Sequence, residues 1–137
     1  NLDRLAAHPE LKPIVIVRGC GDVVASALNM ARTEWKSTPF AQSLDTARKV
    51  ANRWAEAVAF QERNAERILA IRYEDLVTRP EPVLSHLGAF LGLDPAGFQA
   101  QVLRSDRIGR HRTSLTDEDV RIINEVAGEM MGRLGYH

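Results

Sequence analysis

The 137-residue sequence has a single cysteine, Cys20, and no excess of charge of either sign, since eighteen lysines and arginines balance eighteen aspartates and glutamates. One cysteine excludes an internal disulfide and any zinc site built from several cysteines; it fits a reducing compartment, so a cytoplasmic location is expected. The balanced charge leaves no overall field to draw nucleic acid or an anionic membrane, so neither is expected as a partner and any anion site must be local. No run approaches the roughly 20 apolar residues of a membrane span, and the opening NLDRLAAHPELKP lacks the basic-then-apolar order of a signal peptide. An initiator methionine is missing too, and the first residues read as the last turns of a helix ended by Pro9, which raises the expectation that part of the protein lies upstream. Repeats, low-complexity tracts and dividing linkers are absent, so residues 1–137 are expected to form one domain.

What is present is the composition of an ordinary globular chain, 45% hydrophobic and 26% charged. Pro13 precedes Ile14-Val15-Ile16-Val17, a continuous β-branched run of the kind expected in a strand covered on both faces. From about Gly21 the residues Val23, Val24, Ala27, Leu28 and Ala31 take up helical spacing. A longer helical pattern between Phe40 and Arg67 puts Ala47, Val50, Ala51, Trp54, Ala55, Val58 and Ala59 on one face and most charges on the other. The segment ILAIRY then reads as a second strand, parallel to the first because a helical crossover joins them. The fold class expected is therefore α/β, a parallel sheet flanked by helices. Further on, a short helix with Asp75 as its cap breaks at Arg79-Pro80, a second runs from Glu81 to Leu91 and closes at Gly92, and DPAGFQAQVL reads as another. RSDRIGRHRTSL reads as a basic loop, and Thr116 with Asp119 reads as a capping box opening a last helix near Asp117 to Leu134.

The junction IVIVRGCGDVVASAL concentrates the chemistry. Strands in such sheets end where ligands collect, and a helix starting there offers unpaired N–H groups and a positive dipole end. Arg18 adds a donor suited to phosphate, and Ser26, just over one turn into the helix, has its hydroxyl directed back toward the same end. The two together can hold one phosphate. The plainer reading is that Arg18 pairs with Asp22 and Ser26 is merely tolerated on a helix.

RGCGDVVAS resembles the nucleotide-binding segment of sulfotransferases that use 3′-phosphoadenosine 5′-phosphosulfate: a strand ending in Arg, a turn with Asp-Val, then Ser eight residues after the Arg. AIRYEDLVTRPEPVLSHLGAFLGL is similar to that family's second core strand and the helices after it, NRWAEAV to the Arg-Trp pair of its long helix, and RSDRIGRHRTSLT to its late basic loop. The resemblance runs from Leu11 onward. It implies the P-loop NTPase-like sulfotransferase fold, with this chain as the C-terminal part of a larger domain. It further implies that Arg18 and Ser26 grip the 3′-phosphate, that Tyr73 contacts adenine, and that Arg104, Gly109 and Arg112 of the late loop complete the site. The cosubstrate would be 3′-phosphoadenosine 5′-phosphosulfate, the chemistry would need no metal, and the acceptor would be a hydroxyl or amine on a small molecule or glycan. In the late loop Ser105 and Asp106 replace the pattern's Lys-Gly and His111 replaces its Trp, leaving Arg104, Arg107 and Arg112 as candidate phosphate donors.

Before any resemblance, Arg104, Arg107, Arg110, His111 and Arg112 are a basic stretch that a solvated loop explains equally well. Trp35 and Trp54 read as packing residues, and His8, His86 and His137 have no partner pattern. Sulfuryl transfer also needs a base and positive charge on the leaving phosphate. No Gly-rich loop leading to Lys-Ser/Thr is visible, and His8 stands too close to the first strand, so the catalytic residues are expected upstream. The alternative is a nucleotide-binding or protein-interaction module of the same fold without catalysis. A kinase-like chain is weaker, because the diagnostic phosphate loop is absent.

Overall fold

The computed structural model describes residues 8–106, 108, 109 and 111–136, with only the backbone of Arg112. The expected opening helix turns and the positions Arg107, Arg110 and His137 lie outside the described residues. Two compact units are interleaved along the chain, Asn1–Val17 with Phe60–Asp106 and Arg18–Ala59 with Arg107–His137.

In the first unit, strands β1 (Ile14–Val17) and β2 (Leu69–Arg72) pair in parallel, Ile14 opposite Leu69 and Val17 opposite Arg72. The Leu69 amide bonds to the Pro13 carbonyl at 3.0 Å and opens the ladder. Coverage of both faces is not met among the described residues. Strand alternation sends Ile14 and Ile16 to one face, where they are 39% and 56% exposed, and Val17 to the other, where it is buried. Tyr73, expected from the sequence to end the strand, is instead the first residue of the helix that follows it.

Helix α3 (Tyr73–Thr78) and helix α4 (Pro80–Leu91) both pack against β2. Pro80 opens α4 where its missing N–H costs nothing, and Gly92 at φ 76° closes it in the left-handed conformation. Asp75 does not cap α3: the cap position is Arg72, and Asp75 lies in the first turn, where its carboxylate accepts from Arg79 at 2.8 Å. The helix expected over DPAGFQAQVL resolves into two 3₁₀ turns, Pro95–Gly97 and Ala100–Val102. Asp94 accepts the Ala96 amide at 2.9 Å, and Phe98 between the turns is extended, so no α-helical register propagates.

The second unit is helical. Helix α1 (Cys20–Arg32) buries Cys20, Val24, Ala27, Leu28 and Ala31, a stripe at helical spacing whose small residues permit close approach. Against α1 pack a 3₁₀ turn at Ala41–Ser43, helix α5 (His111–Ser114) and helix α6 (Asp117–Arg133). His111–Ser114, expected as part of a loop, is helical. Helix α2 (Ala47–Arg63), whose last turn belongs to the first unit, buries Ala47, Val50, Ala51, Trp54 and Val58 on the expected face. Thr116 and Asp119 form the expected reciprocal capping box at the start of α6. Ile123 and Ala127 of α6 are buried, whereas Met130 and Met131 are half-buried. Among the described residues no helix is long and apolar enough to cross a membrane.

Candidate functional site

Gly19 turns the chain from the strand into α1 and caps the helix without any side-chain bond. The corner is held from α2: the buried Trp54 indole N–H donates to the Arg18 carbonyl at 2.8 Å. Arg18 donates from Nη2 to Asp22 Oδ2 at 3.0 Å, one helical turn on, so the plainer pairing reading of this arginine is met. Ser26 lies on α1 with its side chain exposed.

Asp22 is 4% exposed and gathers more than Arg18. Its Oδ2 also accepts the Gly109 amide at 2.8 Å, while Oδ1 accepts the His111 amide at 3.1 Å and faces His111 Nδ1 at 2.8 Å. Burial pushes its pKa upward, but the His111 ring, the two loop amides and Arg18 outweigh that cost and hold the carboxyl at about 2. An ionised carboxylate only accepts, so Nδ1 carries the His111 proton in this pair. The ring lies across Gly21, where a Cβ would sit 3.0 Å from Cγ and Cδ2. Gly109, at φ 76°, is in the conformation that glycine adopts without strain. The end of α1 thus brings Arg18, Gly109 and His111 together around one buried acid.

Cys20 opens the same helix, a position that ordinarily lowers a thiol's pKa. Here complete burial dominates and pushes it up to about 12, so Cys20 is a packing residue rather than a nucleophile.

In the first unit the Tyr73 hydroxyl donates to the Arg104 carbonyl at 3.1 Å, which joins two of the residues expected to contact nucleotide. The Arg104 guanidinium folds onto Asp106, with contacts of 3.2 and 3.4 Å, so the acidic residue replacing the pattern's glycine partly neutralises the arginine expected to bind phosphate. A groove of about 390 Å³ in this unit is lined by Ala70, Arg72, Asp75, Arg79, Val83 and His86 among others, and contains none of the expected nucleotide residues. The Arg112 side chain lies outside what is described.

The model of the sulfotransferase family matches residues 2–97. The chain belongs to the sulfotransferase family. The match takes in the Arg18–Ser26 corner of this sulfotransferase chain, the Trp54 helix and Tyr73, and it ends before Arg104, Gly109 and Arg112. Among curated proteins and among solved structures, nothing matches the chain.

In this sulfotransferase chain the sequence offers Arg18 and Asp22 as a possible pair. Nothing in the sequence marks Asp22 as a junction or His111 as its partner. The i, i+4 spacing signals the first contact; the partners 87 and 89 residues away carry no local signal.

Proposed function

We propose that this chain is the nucleotide-gripping part of an enzyme that transfers a sulfuryl group from 3′-phosphoadenosine 5′-phosphosulfate to a hydroxyl or amine of a small molecule or glycan. The supporting observation is the family match, which spans Arg18, Ser26 and Tyr73. The donor chemistry at the start of α1 fits an anion: an arginine beside a helix N-terminus whose cap, Gly19, has no side chain. In this reading Arg18 and Ser26 hold the 3′-phosphate, Tyr73 meets adenine, and Arg104, Gly109 and Arg112 add the late-loop contacts. When bound, the cosubstrate supplies the sulfuryl group and a bisphosphate leaving group. The P-loop NTPase-like fold belongs to the same proposal.

Arg18 reaches a phosphate only by sharing its guanidinium with Asp22, and a planar guanidinium with several donors can bridge two anions. Calorimetric titration with adenosine 3′,5′-bisphosphate and adenosine 5′-phosphate tests the reading. The expected result is preference for the bisphosphate, lost in Arg18→Ala. Equal affinity for the two, or a preference that survives Arg18→Ala, refutes the assignment.

A further inference from the structure

We propose that Asp22 is a positioning residue for nucleotide binding, a buried carboxylate that fastens Gly109 and His111 to the Arg18 corner before nucleotide arrives. The inference rests on the nucleotide reading above.

Among the described residues each oxygen of Asp22 takes two donors: Oδ2 the Arg18 guanidinium and the Gly109 amide, Oδ1 the His111 amide and ring. Four bonds fill the acceptor sites of a carboxylate. Buried polar groups satisfied in this way are costly to disrupt, because each lost partner leaves a desolvated group behind. Three local choices serve this junction and nothing in the helix itself. Gly21 is a poor helix former, yet its missing Cβ is what admits the imidazole ring. Gly109 adopts a positive φ in the segment that presents its amide. His111 presents both its amide and its ring to one oxygen, which no residue without a ring or amide donor at that reach can do.

The consequence for binding is entropic. A basic loop that must be ordered when nucleotide arrives reduces affinity by its lost freedom, and a loop already latched does not. Asp22 therefore acts on nucleotide through Arg18 and the loop rather than by touching it, since its own charge repels phosphate.

The test uses His111→Asn, His111→Gln and Asp22→Asn. Asparagine places an N–H close to the position of Nδ1, whereas glutamine places it near Nε2, too far to bond Asp22 in the same way. Three readings are taken on the whole chain: ring nitrogen chemical shifts of His111, hydrogen exchange of the Gly109 amide, and calorimetric affinity for adenosine 3′,5′-bisphosphate. We expect wild-type His111 in the Nδ1–H form and a protected Gly109 amide. His111→Gln should expose that amide and weaken bisphosphate binding about tenfold, the equivalent of one hydrogen bond, while His111→Asn stays within about threefold of wild type. Asp22→Asn should lose at least as much as His111→Gln; if it does not fold, the His111 pair decides.

Bisphosphate preference in wild type with unchanged affinity in His111→Gln overturns the positioning role and leaves the nucleotide reading intact. An Nε2–H tautomer in wild type overturns it equally. Lack of bisphosphate preference in wild type overturns the nucleotide reading and, with it, the role assigned to Asp22.

Discussion

Acid should remove one identifiable part of this chain's stability. Asp22 is held at about 2 from its ordinary 3.8 by four hydrogen bonds. A carboxyl whose pKa is lowered on folding binds fewer protons when folded, so its contribution is complete above the unfolded value and disappears as pH falls through the folded one. The shift corresponds to about 2 kcal/mol at neutral pH; about half remains near pH 3, and little below pH 2. Asparagine cannot ionise, and so Asp22→Asn lacks this pH-dependent part. Urea unfolding of wild type and Asp22→Asn across pH 2–7 should show a stability gap of about 2 kcal/mol that narrows through pH 4–2. A gap of the same size at pH 3 and pH 7 would refute the reasoning, for it would mean that Asp22 stabilises through shape alone.

Two further perturbations address the same corner. Gly21→Ala, normally worth about 0.5–1 kcal/mol in favour of a helix, should instead destabilise wild type, because the new Cβ meets the His111 ring at 3.0 Å; the gain should reappear in a His111→Ala background, measured by thermal unfolding. Trp54→Phe should cost about 2–3 kcal/mol in urea unfolding, combining a lost bond to the Arg18 carbonyl with a cavity beside a buried ring, and a loss under 0.5 kcal/mol would show that the corner is held by other means.

Local signals were legible wherever the cause was local. The apolar stripe of α2, the Thr116–Asp119 box, the break at Pro80 and the stop at Gly92 follow from side-chain periodicity, capping chemistry and backbone freedom within a few residues. The Arg18–Asp22 pairing at i, i+4 was legible for the same reason, whereas the parallel strand pair followed from the helical crossover between the strands. Misreadings arose where short-range alternatives compete. Asp94 and Pro95 favour a tight turn over a helix, and Asp75 is taken by Arg79 rather than by the helix start.

The sequence by itself determined helices α1, α2, α4 and α6, the Thr116–Asp119 box, the stop at Gly92 and the Arg18-to-Ser26 spacing, because each depends on neighbours within one or two turns. Tertiary structure alone decided that Ile14 and Ile16 are exposed, that Arg104 turns to Asp106, and that Asp22 receives Gly109 and His111 from the far end of the chain. A buried carboxylate binds whatever donors packing brings to it, and no spacing rule along the chain encodes which donors those are.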